Sequence, residues 1–443
     1  MKNGSFLFNV FQTEVEGARL QLYIFNVTNT ERFLAGDDYK LKVEEVGPFT
    51  YLEIRRNGDV ELHEDTGDVW FTPYMKVKFV PELSIGDPHK IEVTVPNLAL
   101  MSATSLLSKY PFLFRSGFNM LARQMGSKII SKVDAHSFLW GYKDPLIGLA
   151  NKIIPGLIYF DKLGIIDRLY DEKSFYRIQM SIKEEDKFSV KTLNKYLKGK
   201  KIEDQYPLES YKFNNTYEGA SYPPGLTKTT PLNIYRIGVC RPFTLEFERE
   251  ITMDYGPRAW VYKINNETFN RDCGLKDGIC GVLDLSKCTY GIPIVISRTH
   301  FLNTDPKVYE RIDGMKPDES KHESVFVIEQ VIRLTLVTNF SLQLNMALGD
   351  VSFNSQTAKF SNMTVPISYI EVFQPEVFDD FKTILKVVYI YGPNILLCIE
   401  LILFIIASCV LVKAFKIYCK SKSLDVETNN VTISDKEVPL LST

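Results

Sequence analysis

Residues 387–412 constrain this chain more than any other segment, because these 26 positions carry one charged side chain, Glu400. Roughly 20 apolar residues of helix are enough to cross the hydrocarbon core of a bilayer. A buried helix of a soluble protein is the alternative, but such helices rarely stay apolar on every face over this length. The sequence therefore predicts one membrane span near the C-terminus.

Lysines follow the predicted span at once, at Lys413, Lys416, Lys420 and Lys422. Because basic residues flank a span on its cytoplasmic side, we expect residues 413–443 in the cytosol and residues 1–386 outside the cell or in an organelle lumen. Glu400, close to mid-membrane, is expected to face another helix rather than lipid. Cys409 and Cys419, near the cytosolic boundary, are candidates for palmitoylation.

Four cysteines precede the span and fall within 49 residues of one another: Cys240, Cys273, Cys280 and Cys288. An even number of cysteines in a lumenal region is typical of two disulfides. A zinc site is the competing interpretation, but the cluster holds neither a CxxC pair nor a histidine. The sequence predicts disulfides and no metal.

The same region carries six N-x-Ser/Thr acceptors for N-glycosylation. They are Asn3, Asn26, Asn214, Asn266, Asn339 and Asn362. Together they predict a glycosylated ectodomain, whereas Asn430, in the expected cytosolic tail, should stay bare. No signal peptide opens the chain, since the apolar stretch 6–11 is short and is interrupted by Asn9. We therefore expect that an N-terminal membrane segment is missing from this sequence, as in a truncated gene model or a splice form.

Alternating apolar and polar residues predict half-buried strands at residues 75–79, 91–95, 243–247 and 342–346. One zone, about residues 97–170, is predicted to be helical. Within it, apolar residues recur at three- and four-residue spacing from Phe118 to Val133, and a second helix is expected over residues 156–170. Gly47 and Pro48 indicate a turn between strands. The predicted fold is mixed and mainly antiparallel β, with an inserted block of helices.

Motifs of catalysis and of cofactor binding are missing from the sequence. It contains no HExxH, GxSxG, GxxxxGK or GxGxxG, and its five histidines are scattered. The net charge of −2 gives no global field that would favour nucleic acid. We expect neither an enzyme nor a cofactor.

Five stretches, in order along the chain, resemble the class B scavenger receptor family. They are residues 24–29 (IFNVTN) with 45–49 (EVGPF), residues 139–145 (LWGYKDP), residues 222–225 (YPPG) leading to Cys240 and Arg241, residues 281–288 (GVLDLSKC), and His300 with Phe301 followed by residues 312–315 (IDGM), Pro317 and His322. Five motifs in the family's order, over about residues 4–415, are far more specific for the family than any one motif alone. On this ground the chain is similar to family members of the fatty-acid translocase and lysosomal integral membrane protein type.

The resemblance implies a twisted antiparallel β barrel with an apical helical bundle and a span at each terminus. It also implies a hydrophobic tunnel from the apex toward the membrane. The disulfides Cys240–Cys288 and Cys273–Cys280 are implied by the lysosomal member. Because the chain starts where the family's ectodomain starts, the resemblance implies an invertebrate member that lacks its N-terminal span.

The function implied by the resemblance is that of a membrane scavenger receptor without a catalytic step. Such a receptor binds lipids, fatty acids or lipoprotein particles at its apex and passes lipid through the tunnel to the bilayer. A lysosomal trafficking receptor for a soluble protein and a sensory co-receptor for hydrophobic ligands are the alternatives. The tail resembles the acidic dileucine ending of the lysosomal member, so Glu437, Leu440 and Leu441 are candidates for binding sorting adaptors. The expected location is the plasma membrane or the membranes of endosomes and lysosomes.

Basic residues in or beside the helical zone are the candidates for ligand binding: Lys109, Arg115, Arg123, Lys128 and Lys132. Lys128 and Lys132 are four residues apart and would share a face of the predicted helix. A cation beside an apolar stripe suits amphiphiles with anionic heads, because the charge fixes the head and the apolar wall takes the chain at about 0.8 kcal/mol per buried CH₂. An ordinary solvated face is the alternative.

Overall fold

A computed structural model describes residues 4–153, 162–167, 170, 174–197, 200–201, 213, 215–236, 239, 241–270, 273, 280–286, 289, 291–374 and 377–434. The chain divides into two units. The first comprises Met1–Ile251 and Arg258–Glu376, and the second comprises Thr252–Pro257 and Val377–Thr443.

The strands of the described residues are β1 Val15–Val27, β2 Leu41–His63, β3 Asp68–Phe79, β4 Glu92–Pro96, β5 Ile130–Asp134, β6 Ser174–Ser181, β7 Val190–Leu197, β8 Lys200–Lys201, β9 Thr216–Tyr217, β10 Leu232–Arg236, β11 Arg241–Thr252, β12 Arg258–Ile264, β13 Val282–Asp284, β14 Ile294–Ser297, β15 Ile312–Asp313, β16 Val325–Glu329, β17 Thr335–Leu348 and β18 Met363–Phe373. The four segments predicted from alternation lie in or overlap β3, β4, β11 and β17, which confirms those strands.

One large sheet runs in the order β8-β7-β6-β3-β2-β1-β18-β17-β16-β12-β11-β10-β9, with β13, β14 and β15 attached at its side. Its pairs are antiparallel except β9 with β10 and β15 with β2. A bridge between Ser189, just before β7, and Tyr217 in β9 joins the two ends of this order. The sheet is therefore a nearly closed barrel, as the mainly antiparallel β prediction required.

Buried side chains form several clusters in the described part of the first unit. The largest includes Phe25 of β1 and Phe49 of β2, and the next includes Phe243 of β11. A third lies on β3, β6 and β7 and includes Phe71 and Ile178. Each such side chain stabilises the fold by roughly 1.5–3 kcal/mol relative to exposure, so these clusters stabilise the sheet along its length.

The helices of the described residues are α1 Phe6–Gln12, α2 Thr30–Ala35, α3 Leu98–Leu107, α4 Phe112–Gln124, α5 Ala135–Trp140, α6 Pro145–Ile153, α7 Glu267–Asn270, α8 Glu319–His322, α9 Asp379–Lys386 and α10 Gly392–Ser434. Short 3₁₀ turns lie at Pro81–Leu83, Thr299–Phe301, Pro306–Val308 and Ala358–Phe360.

The helix predicted from Phe118 to Val133 is wrong in its second half, because α4 ends at Gln124. Gly126 has a φ of +66°, and the N–H groups of Gly126 and Ser127 donate to the carbonyls of Arg123 and Ala122 at 3.0 and 3.1 Å. These are the two bonds of a Schellman motif, which ends a helix. Residues 130–134 instead form β5, which pairs with β4.

The helix expected over residues 156–170 is also wrong where it is described. Residues 162–167 form no helix, since Leu163 bridges to Tyr142 and the N–H of Gly164 donates to Asp167 Oδ1 at 2.9 Å. Residues 154–161 lie outside the described residues.

The turn expected at Gly47 and Pro48 is wrong as well, because both residues lie inside β2. The register between β1 and β2 shifts next to them, between Leu22 and Ile24. A Cβ on residue 47 would come within 2.7 Å of the Leu22 carbonyl oxygen, so the glycine permits a close approach of two strands rather than a chain reversal.

The β17–β18 hairpin defines the two ends of the sheet. Leu348 pairs with Met363 at one end, and Asn339 pairs with Phe373 at the other. At the first end, the side chain of Asn119 in α4 donates to the carbonyl of Phe353, in the loop that joins β17 to β18, at 2.8 Å. The chain leaves the first unit from the opposite end, after Phe373.

In the second unit, α9, a π-helical turn at Val387–Tyr391 and α10 follow one another without a break. The apolar side chains of this helix, such as Leu403 and Leu411, are exposed. Its length and composition suit a membrane crossing, in agreement with the span predicted at residues 387–412. The helix continues to Ser434, so the described part of the expected tail is helical.

Candidate functional site

The end of α3, the connection after it and α4 carry a group of exposed apolar side chains, which we call the apolar tip. Its members are Leu106, Tyr110, Phe112, Leu113, Phe114 and Met120. Their exposure runs from 41% at Leu106 to 79% at Leu113. The surfaces of soluble proteins rarely expose so many large apolar side chains together, unless the patch binds a partner, a ligand or a membrane.

Hydrogen bonds at the start of α3 and its buried side chains fix the position of the apolar tip. Asn97 caps α3, since its Oδ1 accepts from the Leu100 N–H at 2.8 Å and its Nδ2 donates to Asp144 at 3.0 Å. Leu100 and Met101 are fully buried. Pro111 then starts α4, as its missing N–H suits the first positions of a helix.

The opposite face of α4 is fixed against the β17–β18 loop. Besides the Asn119 bond to Phe353, the guanidinium of Arg115 lies 5.4 Å from the centre of the Phe353 ring. Leu113 and Met120 are seven residues apart and so share the other face of the helix. The side chains that bind the loop and those that reach solvent are thus separated around α4.

The predicted basic residues do not form one surface. Arg115 and Arg123 face the β17–β18 loop, where Arg123 donates to the Ser355 hydroxyl at 3.4 Å. Lys132 lies on β5, and its Nζ is 2.5 Å from a carboxylate oxygen of Glu92. It therefore does not share a helix face with Lys128, because the Schellman turn separates the two residues.

All three predicted lysines are exposed, including Lys132 in its ion pair with Glu92. Lys109 belongs to the α3–α4 connection and adjoins Tyr110 of the apolar tip, and Lys128 lies in the loop after α4. Sequence reasoning missed the tip itself. The signal was present in the run of Phe112, Leu113 and Phe114, since three consecutive apolar residues cannot all face the core from one helix.

Four of the five histidines form two stacked pairs. His89 and His136 have ring centres 3.9 Å apart, and His300 and His322 have ring centres 4.5 Å apart. Burial, together with the neighbouring His89, lowers the pKa of His136.

The His300 pair is buried and lies against Glu45, whose side chain is 40% exposed. His300 Nε2 lies 3.0 Å from one oxygen of Glu45, and the Tyr369 hydroxyl donates to the other oxygen at 2.7 Å. The contact with His300 holds the pKa of Glu45 down to about 2. Burial and the nearby His300 lower the pKa of His322 to about 4. These contacts join β2, through Glu45, to β18, through Tyr369, and to the two segments that carry the histidines, as in a structural network.

A second polar group joins β2 to the residue after β9. One Arg55 nitrogen lies 3.0 Å from both carboxylate oxygens of Glu218, and Arg236 donates to the Glu218 carbonyl at 2.6 Å. Beside it, the Tyr170 hydroxyl donates to Glu53 at 3.2 Å, and burial raises the pKa of Glu53. Since β2 and β9 are not neighbours in the sheet, this group connects distant strands.

A disulfide joins Cys273 to Cys280, whereas Cys240 and Cys288 lie outside the described residues. The sorting candidates Glu437, Leu440 and Leu441 also lie outside them, as do the acceptors Asn3 and Asn214. Cys398, Cys409 and Cys419 have free thiols and are exposed on α10. Among the described residues, no group of three or more His, Cys, Asp or Glu side chains could hold a metal ion.

Comparison with known proteins gives consistent matches. A family model described as the CD36 family matches residues 1–418. Lysosome membrane protein 2 of Rattus norvegicus is 26% identical over 383 residues, which cover 84% of this chain and 77% of the rat protein. Scavenger receptor class B member 1 of Sus scrofa is 24% identical over 372 residues, which cover 82% of this chain and 72% of the pig protein.

Proposed function

Because the chain belongs to the CD36 family, we propose that it is a membrane scavenger receptor that binds lipids or lipoprotein particles through the apolar tip. The names of its relatives, a scavenger receptor and a lysosome membrane protein, agree with this class. The long apolar helix of the second unit supports a membrane location.

The observation that carries the proposal is the exposure of the tip. Phe112 is 75% exposed and Leu113 is 79% exposed, so both leave most of their apolar surface in water in the free protein. Covering one such side chain with lipid contributes roughly 1.5–3 kcal/mol. Lys109, exposed beside the tip, adds a cation, and each lysine near an anionic lipid surface contributes about 1 kcal/mol.

The proposed receptor has residues 1–386 in the lumen or outside the cell, residues 387–412 as the span and residues 413–443 in the cytosol. The lysines that follow the span, such as Lys413 and Lys416, support this orientation.

The lipid route is proposed to run inside the barrel, from the tip toward the bilayer. The near closure of the sheet between Ser189 and Tyr217 supports an enclosed path. No catalytic step is needed, because transfer from a particle to a membrane follows the gradient of lipid.

A binding assay on the purified chain tests the proposal. The double variant Leu113→Asp with Met120→Asp places two charges on the exposed face of α4 and leaves its packed face intact. Affinity for fluorescent phosphatidylcholine vesicles containing oleic acid should fall by about tenfold or more, where each tenfold corresponds to about 1.4 kcal/mol.

Ile85→Asp is the matched control, since Ile85 is 49% exposed on the segment after β3. It should bind vesicles as the unchanged chain does. Equal affinity of the double variant and the control, with the same circular dichroism spectrum, would refute the apolar tip as the binding surface. Lys109→Gln should weaken binding only to vesicles that contain oleate.

Residence in lysosomes, and with it a role as a trafficking receptor, is the second candidate. The similarity to Lysosome membrane protein 2 favours it. Exchange of Leu440 and Leu441 for alanine should then move the chain from endosomes and lysosomes to the cell surface, whereas an unchanged distribution would leave the plasma membrane as its site.

A further inference from the structure

Arg236, the last residue of β10, holds its positive charge away from open solvent, and burial lowers its pKa. Among the described residues, no carboxylate lies within ion-pair distance of its guanidinium. Nη1 donates instead to the backbone carbonyl of Glu218 at 2.6 Å, and Nε is buried without an acceptor. A Cβ on Gly219 would lie 3.4 Å from a guanidinium nitrogen, so the glycine places no side chain there. Because an enclosed charge is costly unless it is compensated, this guanidinium has binding capacity that the fold leaves unused.

The guanidinium of Arg236 lies in the interior of the barrel. It is 5.4 Å from the centre of the Phe340 ring on β17, although β11, β12 and β16 separate β10 from β17 in the sheet. Arg55 of β2 reaches the same place, since it binds the carboxylate of Glu218, whose carbonyl accepts from Arg236. Side chains of strands this far apart can meet only across the inside of a nearly closed sheet.

Water reaches this polar group although the barrel surrounds it. Arg55 lies on the same face of β2 as the buried Tyr51 and therefore points inward, because side chains alternate along a strand. Even so, 28% of the Arg55 side chain and 22% of the Glu218 side chain are accessible to solvent. Accessible surface on these enclosed side chains indicates an internal space, and its charged lining suits water or a polar ligand.

The acids nearest to Arg236 have other partners. Arg55 Nη2 lies 3.0 Å from both carboxylate oxygens of Glu218. Glu53 accepts from the Tyr170 hydroxyl at 3.2 Å, and burial raises the pKa of Glu53, which favours its neutral form. The charge of Arg236 is thus left for an anion that does not belong to these side chains.

We propose that Arg236 binds the carboxylate of a single-chain amphiphile inside the barrel. A guanidinium presents its N–H groups in a fork that matches a carboxylate, and hydrogen bonds between charged groups are the stronger ones. The Phe340 ring beside the guanidinium belongs to the apolar cluster of β11, β16 and β17, so a chain attached to the carboxylate has apolar surface next to it. The inference rests on the proposed lipid route inside the barrel and narrows its cargo, because a carboxylate is favoured over a neutral head.

Binding of two ligands with the same chain tests the proposal. The full-length protein, kept soluble in an amphipol, is titrated with radiolabelled oleate and with radiolabelled oleyl alcohol, both as monomers. The unchanged protein should bind oleate about tenfold more tightly, the advantage expected of a hydrogen bond to a charged group. Arg236→Gln should bring the ratio of the two affinities close to one and leave the affinity for oleyl alcohol unchanged.

Two further variants complete the series. Arg236→Lys retains the charge without the fork of N–H groups and should give a ratio between those of the unchanged protein and Arg236→Gln. Arg249→Gln, altered at an exposed arginine of β11, is the matched control and should keep the full ratio.

Three results would overturn the proposal. The first is equal affinity of the unchanged protein for oleate and oleyl alcohol, a measurement that needs no variant. The second is a full ratio in both Arg236→Gln and Arg236→Lys. The third is displacement of oleate by acetate at the concentration at which unlabelled oleate displaces it, which would make Arg236 a site for small free anions. Monomeric ligands need no docking of particles, so vesicle binding by Leu113→Asp with Met120→Asp tests the apolar tip separately.

Discussion

At the scale of single residues, His322 makes the stability of the fold depend on pH, because its pKa is lowered in the folded chain. The pKa of His322 is lowered from 6.5 to about 4, so the unfolded chain binds a proton between these values and the folded chain does not. Stability is therefore lost as the pH falls from 6.5 toward 4, by about 1.4 kcal/mol for each pH unit in this range. Glu45, whose pKa is lowered from 4.5 to about 2, adds a further loss below pH 4.5.

Replacement of His322 by asparagine tests this dependence. The amide oxygen of the introduced asparagine keeps an acceptor near the position of Nδ1, which accepts from the Asp318 N–H at 3.1 Å, and the exchange removes the proton site. The urea midpoint of His322→Asn should then fall less between pH 6.5 and 4.5 than that of the unchanged chain or of His63→Asn, altered at an exposed histidine. His136, whose pKa is also lowered, keeps part of the loss. A parallel loss in His322→Asn would show that another group causes it.

The predicted glycosylation sites differ in how far their asparagine side chains are enclosed by neighbouring residues. Asn26 lies in β1, where its Nδ2 donates to Glu44 at 2.8 Å and its Oδ1 accepts from the Thr94 N–H at 2.7 Å. A glycan on Nδ2 would displace Glu44. Asn266 and Asn362 are not enclosed in this way. Asn266 is exposed and only its oxygen accepts a bond, from Arg298, and Asn362 is exposed in the turn directly before β18.

Peptide mapping after enzymatic glycan removal should therefore find carbohydrate on Asn266 and Asn362 and none on Asn26. A fully occupied Asn26 in a folded, secreted-pathway sample would contradict the pairing of β1 with its neighbours at this position.

At the scale of elements, we predict opposite effects on stability when alanine replaces Gly117, within α4, and Gly126, just after it. Gly126 has a φ of +66° in the Schellman motif, so Gly126→Ala should destabilise the fold by about 1 kcal/mol. Gly117 lies within α4, and a Cβ there meets no atom within 4 Å, so Gly117→Ala should stabilise it by roughly 0.5–1 kcal/mol. Urea titrations of both variants measure the difference. Destabilisation by both would show that α4 does not end where the motif places it.

The same helix shows what the sequence could and could not predict. Strands such as β11 and β17 followed from alternation. In β11 one face is buried and the other is more open, whereas in β17 the alternating polar residues Ser341, Gln343 and Asn345 are buried as well. The end of α4 could not be predicted from the spacing of apolar residues, because Met125, Ile129 and Val133 continue a helical spacing past Gly126. In the structure, Ile129 lies in the loop after α4 and Val133 lies in β5. The apolar tip was missed because apolar residues were assigned to the core.

Long-range contacts could not be predicted from the sequence, for a different reason. The pairs of His89 with His136 and of His300 with His322 join separate elements, and nothing in local spacing indicates them. The same holds for the bridge of Ser189 with Tyr217, which nearly closes the barrel. The family motifs indicated the fold that brings these residues together, but not the contacts themselves.

At the scale of the whole molecule, the proposed topology divides the chain between two compartments at the apolar helix. With the tail in the cytosol, Cys409 and Cys419 should be acylated and Asn430 should carry no glycan, while Asn362 is glycosylated. Acyl-exchange labelling and peptide mapping of the same sample measure all four positions. A glycan on Asn430, or labelling of neither cysteine, would contradict the orientation or the lipidation, respectively.

Photo-crosslinking with a fatty acid that carries a diazirine tests most directly whether the apolar tip receives lipid. The reagent is incubated with the reconstituted chain, activated by light and located by mass spectrometry of the digested protein. We predict adducts in the peptides that cover residues 106–120, and their loss in the variant Leu113→Asp with Met120→Asp but not in Ile85→Asp. Adducts confined to α10, with none in residues 106–120, would contradict the account.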